Sequence, residues 1–464
     1  MEFTNLIESY KEDIIKKTQE LISIKSVEET PIKGMPFGEG PYNALKYAID
    51  LSEELGFTIK EFDGYAAHAE FGEGEETVGI LVHLDVVPEG DGWTYDPYGG
   101  EIHDGKIYGR GAVDDKGPAV AALYAMKALK ESKAELKRKV RIIFGTNEET
   151  GWGCMNHYFA NEEAPTMAFT PDADFPVIHG EKGIIIFDLN HQLSDTNGSF
   201  RLIDLKGGSA PNMVPDNAVA TFEMDNANQF VKRFETYKEN NNNPIGIEVD
   251  GNIVKVLAKG VSAHGSTPEK GENAISYLMA CLGEVLDGDN SFVEFVRTYN
   301  ERIGFYHYGE KIGCGFEDEV SGKLNFNPGI IKYDNDNVVL TINVRYPIES
   351  SAKEVYDGIR ENLKDTNTTL IEGKSEQKPL YVAEDDFLVK KLMDVYRDVT
   401  KDYDSKPITI GGGTYARAME NAVAFGPMFP GRKDVAHQKD EYISIEDLMK
   451  ITEIYTKALY ELTK

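Results

Sequence analysis

Two histidines and several acidic residues stand at the ends of apolar segments in this 464-residue chain. Imidazole and carboxylate are donors for borderline and hard divalent cations. In VHLDVVP (82–88), His83 and Asp85 lie two apart at the end of an expected strand, so both side chains share a face. A carboxylate there can hold the second ring N–H of the imidazole and fix its tautomer for metal binding; simple hydrogen bonding of a strand-end histidine is the plainer alternative. In GRGAVDDKGP (109–118), Asp114 and Asp115 precede a helix. One of them could bridge two cations, or both could merely favour the helix dipole. In FGTNEETGWG (144–153), Glu148 and Glu149 diverge from one another, so one could ligate a metal while the other faces a water. A solvated loop would also accommodate them. Asp172 in TPDADFP (170–176) reads as a ligand or as a turn residue beside Pro171, and His437 in FPGRKDVAHQKDEY (429–442) as a ligand or as plain surface.

Taken together, the set is more specific than its members. His83, Asp114, Glu149, Asp172 and His437 all fall beyond the C-terminal ends of apolar strands or in the loops there. That edge is where open α/β sheets bind ligands. Five nitrogen and oxygen ligands without a thiolate suit a pair of zinc ions sharing one carboxylate; manganese or cobalt also fits.

The elements that must position these residues follow from periodicity. Leu6, Tyr10, Ile14 and Leu21 mark an amphipathic N-terminal helix, and residues 42–55 carry a helical pattern that stops at Gly56. VGILV (78–82), VRIIF (140–144) and residues 166–169 read as buried strands, with a helix over 119–130 between the first two. This β-α-β order predicts a mainly parallel sheet with helices on both faces. From about residue 184 the strands alternate more clearly, as in RLIDL, NIVKVLA and VVLTINVRY, with helices near 272–287 and 352–364 and a polar loop at 239–243. After about 380 come a helix over 386–399, a Gly-rich turn, a helix and an apolar strand at 422–425. The expectation is an α/β catalytic domain of residues 1–182 and 380–464, interrupted by an inserted α+β lid domain of residues 183–379.

Composition narrows the function classes. A net charge of −30 and the lack of a basic stripe argue against nucleic acid and anionic membrane as partners. No apolar run approaches the roughly 20 residues that cross a bilayer, and the first residues lack a secretion-signal pattern. Three widely spaced cysteines, Cys154, Cys281 and Cys314, point to a reducing compartment, the cytoplasm. The turn Gly411-Gly412-Gly413-Thr414 before a helix could make an anion site for a substrate carboxylate, or could be a tight turn needing glycine dihedrals. It lacks the lysine of a phosphate loop, and no G-x-S-x-G occurs for a serine hydrolase.

The segments HLDVVPEGDGW, IYGRGAVDDKGP, GTNEETG, TPDAD, NMVPD, GVSAHGS, NVRYP, GGGTYAR and PGRKDVAHQ run in order between about residues 79 and 442. They resemble the di-zinc aminoacylase/carboxypeptidase-type metallopeptidases, and most closely the PepV- and carnosinase-like dipeptidases. The resemblance implies that His83 and His437 each serve one zinc, that Asp114 bridges them, and that Glu149 and Asp172 complete the separate shells. It implies that Asp85 orients His83, that Glu148 is the general base for a metal-bridging water, and that the Asp114–Asp115 peptide is cis. His264 resembles the family's transition-state stabiliser, and Asn212 and Arg345 its substrate-binding pair. An arginine fork suits a peptide's terminal carboxylate. The implied activity is hydrolysis of small unblocked dipeptides by a single chain that makes a full site alone. An N-acyl amino acid or succinyl-diaminopimelate deacylase is the alternative within the family. A catalytically silent peptide-binding protein is the alternative outside enzymes, and it would have no need of Glu148 beside Glu149.

Overall fold

The computed structural model describes residues 3–194 and 199–464. The chain forms two compact units. The first comprises Met1–Gly180, Leu380–Ile408 and Gly413–Lys464, and the second Glu181–Pro379 with Thr409–Gly412.

The apolar runs near residues 80, 142 and 168 become the centre of the first unit's sheet. Its strand order is Thr58–Phe62, Ala66–Phe71, Lys139–Gly145, Thr77–His83, Met167–Thr170, Ala422–Ala424, Ile178–Glu181 and Leu380–Tyr381. The four strands from Lys139–Gly145 to Ala422–Ala424 pair in parallel. The flanking Thr58–Phe62, Ala66–Phe71 and Ile178–Glu181 pair antiparallel, so the sheet is parallel only at its centre. Period two divides the Thr77–His83 strand between two cores. Val78, Ile80 and Val82 pack with the helices Lys116–Glu131 and Ile445–Thr463 on one face. Leu81 packs with Met155 and Tyr158 of the Gly153–Asn161 helix on the other. The Ile445–Thr463 helix starts where Ser444 Oγ accepts the Asp447 N–H at 2.9 Å, and it buries Leu448, Ile451, Tyr455, Leu459 and Leu462 along one stripe.

The N-terminal amphipathic pattern is split into two helices, Thr4–Ser9 and Lys11–Ile22. The helix expected after the Gly-rich turn is only a four-residue 3-10 turn, Tyr415–Ala418.

The second unit is an antiparallel sheet ordered Ile245–Asp250, Ile253–Lys259, Asn217–Met224, Phe200–Gly207, Asn325–Asp334, Asn337–Tyr346, Gly183–Gln192 and Thr368–Ile371. The alternation read in its sequence places Ile185, Phe187 and Leu189 in a single core. That core is covered by the helices Ala227–Asn240, Ala274–Val285, Ser291–Arg302 and Ala352–Leu363. The last begins with a capping box between Ser351 and Glu354.

Candidate metal centre

Parallel pairing brings three acidic loops and a histidine to one edge of the first sheet. His83 is the last residue of its strand and lies opposite Gly145 in register. Glu148 and Glu149 follow the neighbouring strand by three and four residues, and Asp172 follows Met167–Thr170 by two. Asp114 comes from the loop before the Lys116–Glu131 helix, and its peptide bond to Asp115 is cis. His437 lies in a loop after the Ala422–Ala424 strand and holds φ 61°, a left-handed backbone that non-glycine residues seldom adopt.

The tautomer of His83 follows from its partners. Nδ1 lies 3.0 Å from the main-chain oxygen of Asp85, which can only accept, so Nδ1 carries a proton and Nε2 is left to serve as a ligand. The Asp85 carboxylate, to which the resemblance gives the orienting role, faces the same nitrogen, with Oδ1 3.7 Å from Nδ1. It also accepts the main-chain N–H groups of Glu148 at 3.0 Å and Glu149 at 3.1 Å, fixing the acidic loop.

Asp114 faces both histidines. Its Oδ1 is 2.9 Å from His83 Nε2 and its Oδ2 is 3.0 Å from His437 Nε2. Asp172 Oδ1 lies 3.7 Å from His83 Nε2, and Glu149 Oε1 lies 3.1 Å from His437 Nε2. Donors about 2.0–2.1 Å from a tetrahedral cation sit roughly 3.3 Å apart, so these spacings suit two ligand groups sharing Asp114. His83 is common to two clusters of donor atoms, one with Asp114 and Glu149 and one with Glu148 and Asp172. The two oxygens of Asp114 face different imidazoles.

The electrostatics also fit cations. Burial and the Asp114 charge push Asp172 up to about 7. Burial and Asp172 push Glu148 well above the usual carboxylate range, and burial with Asp114 raises Glu149. Burial opposes the charged form of His437, but hydrogen bonds to Asp114 and Glu149 outweigh it and lift the imidazole to about 11. For Asp114 the same pairing with His437 and His83 outweighs burial and holds the carboxyl well below its ordinary value. Crowded, buried acids whose charged forms repel one another make a site that divalent cations would neutralise. The donors are all nitrogen and oxygen. The nearby Cys154 is buried, with its sulfur 2.9 Å from the Tyr415 hydroxyl.

Several neighbours carried no legible signal. Trp152 donates its indole N–H to Glu148 Oε1 at 3.2 Å. Tyr415 stands edge-on to His83, with ring centroids 6.0 Å apart. It fits because residue 145 is glycine: a Cβ there would lie 2.2 Å from the Tyr415 hydroxyl. Glu441 is fully buried four residues after His437. It accepts from the N–H groups of Val113 at 3.0 Å and Asp114 at 3.3 Å and from Arg110 Nη1 at 2.6 Å. Burial and Asp114 push Glu441 up to about 7 against the pull of Arg110. All three of these partners are donors, which is the environment of a carboxylate.

The second unit gathers its own expected residues. Asn212 O accepts the Gly265 N–H at 2.7 Å, and Met213 forms a bridge with His264. His264 Nδ1 is 2.6 Å from Ser266 Oγ. Arg345 donates from Nη1 to Gly411 O at 2.9 Å and from Nε to Asn343 Oδ1 at 2.9 Å. Gly412, Gly413 and Thr414 precede a turn too short for a helix dipole, and Thr414 Oγ1 itself accepts the Ala416 N–H at 3.2 Å.

A two-histidine, multi-carboxylate centre at the C-terminal edge of a parallel sheet is the equipment of a metal-dependent hydrolase. The sequence profile of Peptidase family M20/M25/M40 matches residues 79–461, and the chain belongs to that family of metallopeptidases. It is 42% identical over 460 residues to "Putative dipeptidase YtjP" of Bacillus subtilis (strain 168), covering 98% of each chain. It is 40% identical over 461 residues to a Staphylococcus epidermidis protein designated a dipeptidase in the same terms, covering 98% of this chain and 97% of that one. Among solved structures, human carnosine dipeptidase 1 shares the fold with a TM-score of 0.57 at 16% identity, over 99% of this chain and 98% of that one. The M20 family metallo-carboxypeptidase Sso-CP2 of Sulfolobus solfataricus does so with a TM-score of 0.56 at 18% identity, over 97% and 99%.

Proposed function

We propose that this metallopeptidase is a dipeptidase that cleaves small unblocked dipeptides with two zinc ions. Asp114 carries the reading: its two oxygens face two different histidines, with Glu148 held alongside. Two relatives at 42% and 40% identity, matched over 98% and 97% of their length and bearing the name "Putative dipeptidase", support the substrate class.

In this reading His83, Asp114 and Asp172 would hold one cation and His437, Asp114 and Glu149 the other. Divalent cations bound there would supply an acidified water and Lewis-acid polarisation of the peptide carbonyl. Glu148 accepts the proton of the attacking water as the carbon–oxygen bond forms, then gives it to the leaving nitrogen as the carbon–nitrogen bond breaks. Its raised proton affinity, from burial and Asp172, suits that exchange. Residues 1–182 and 380–464 act as the catalytic domain and 183–379 as the lid domain. The resemblance assigns to the lid His264 as donor to the developing oxyanion, and Asn212 and Arg345 as substrate-binding residues; in the catalytic domain, main-chain N–H groups of the Gly412–Thr414 turn are the candidate partners of the substrate carboxylate. Unpaired, buried Cys154, Cys281 and Cys314 support a cytoplasmic location. Among the described residues no helix is long and apolar enough to cross a membrane.

The test is reconstitution of chelated protein with zinc, manganese or cobalt, followed by a panel of dipeptides, tripeptides, acetylated amino acids and succinyl-diaminopimelate. Dipeptides are expected to turn over fastest; faster release from the acylated compounds would make the enzyme a deacylase. Glu148→Ala should lower kcat at least about a hundredfold with metal content unchanged. Near-normal turnover of that variant at full metal load would remove Glu148 from its role.

A further inference from the structure

We propose that the buried Arg110–Glu441 ion pair is a clasp that positions Asp114 and His437 and so sets the affinity of one of the two cation positions. This rests on the reading of Asp114 as the shared ligand.

Glu441 Oε1 accepts two successive main-chain N–H groups, those of Val113 and Asp114, while Oε2 takes Arg110 Nη1. The main chain repeats the connection, since the Gly109 N–H donates to Glu441 O at 2.9 Å. Arg110 donates from Nη1 to Gln438 O at 3.2 Å and from Nη2 to Pro88 O and Glu89 O at 3.4 Å each. Its guanidinium also stacks 5.3 Å from the Trp93 ring. One ion pair thus ties the loop carrying Asp114 to the loop carrying His437 and to the segment that follows His83. Both side chains are almost fully buried, so neither has a solvation role at the surface.

The two cation positions should not depend on this clasp equally. His83 ends a strand that pairs with Gly145 at His83 itself and with Met167–Phe169 at Val78–Ile80, so its backbone is held by the sheet. His437 sits on a loop with a side chain 51% exposed, and its sequence neighbours Gln438 and Glu441 are the groups that Arg110 holds. Loss of the pair should therefore loosen the position served by His437 and Glu149, which loses the support of both Asp114 and His437, more than the one served by His83 and Asp172, which loses that of Asp114 alone. Glu441→Gln keeps an acceptor for the two main-chain N–H groups but turns an NH2 towards the guanidinium, donor against donor. The double substitution Arg110→Gln with Glu441→Gln restores a neutral donor–acceptor pair.

The experiment is a calorimetric zinc titration of the chelated full-length protein, with far-UV circular dichroism of each variant. Glu441→Gln should weaken one equivalent of zinc by about tenfold to a hundredfold, the usual cost of losing a partner behind the ligands, and weaken the other distinctly less. The double variant should regain it. A Glu441→Gln chain that does not fold, beside a double variant that folds and binds two equivalents, also supports the clasp. Wild-type binding by Glu441→Gln, equal weakening of both equivalents, or a double variant that fails to fold or to regain the second equivalent would overturn it. Asp114→Asn separates the two claims: if it binds two equivalents as the wild type does, the shared-ligand reading fails. If it loses them while Glu441→Gln does not, only the clasp fails.

Discussion

The indole N–H of Trp152 donates to Glu148 Oε1 at 3.2 Å, from a residue held at φ 60° at the start of the Gly153–Asn161 helix. A hydrogen bond to a charged group contributes about 1.5–3 kcal/mol. It also leaves the other oxygen of Glu148 as the one to take a proton. Trp152→Phe keeps the aromatic packing on Tyr415 and removes only the donor. Steady-state kinetics should show kcat reduced about tenfold to a hundredfold with KM and zinc content little changed.

Asp85 is a brace for the acidic loop. Its two oxygens accept the N–H groups of Glu148 and Glu149, so Asp85→Asn turns an NH2 towards one of two buried donors. An unsatisfied buried group costs about 1–3 kcal/mol. The urea midpoint of the chelated variant should fall accordingly. Zinc binding and kcat should fall together, because a ligand and the base share this brace.

Removing the cations should destabilise the first unit, since ligands that bind only the native state stabilise it by about 4 kcal/mol at a thousandfold excess over Kd. Asp172, buried beside the Asp114 charge, is a source of the strain that remains. Asp172→Asn should raise the melting temperature of the chelated protein and lower that of the zinc-loaded protein. A shift of the same sign in both states would show that Asp172 does not act through the metals.

A second buried histidine makes acid sensitivity measurable away from the metals. His68 Nδ1 is 2.8 Å from the Tyr158 hydroxyl, which also accepts from Arg141 Nη1 at 3.3 Å. Burial, then the Arg141 charge, lowers the His68 imidazole to about 4. In the unfolded chain the imidazole takes its proton below about 6.5, whereas the native one stays neutral down to about 4. The unfolded state therefore binds more protons in that window. Stability is undiminished above it and falls as pH drops through it, by up to about 3 kcal/mol. His68→Gln should flatten the stability profile between about pH 6.5 and 4, as read by urea unfolding.

The central strands were legible because VGILV and VRIIF are unbroken apolar runs, and the metal donors because they follow such runs closely. The antiparallel flanks were not, since Ala66–Ala69 is as buried as a parallel strand and burial does not encode direction. The Ala227–Asn240 helix does carry a helical stripe, Phe230, Phe234 and Tyr237, but a narrow one set among lysines and glutamates. Glu441 reads as one more acid in a polar loop. Its partner Arg110 lies 331 residues away, and only folding shows that both are buried. Trp152 was likewise silent, because its contact depends on a left-handed backbone that its type does not predict.

The Ala422–Ala424 strand lies between Met167–Thr170 and Ile178–Glu181 in the finished sheet. On the ribosome, both of those neighbours emerge more than 200 residues before the strand that separates them. At about 5–20 residues per second the gap stays open for on the order of tens of seconds. The intervening segment can complete its own sheet in that time, while the earlier one waits with an unfilled slot. His437 arrives later still, so a nascent chain cannot assemble the centre before residue 437 has emerged.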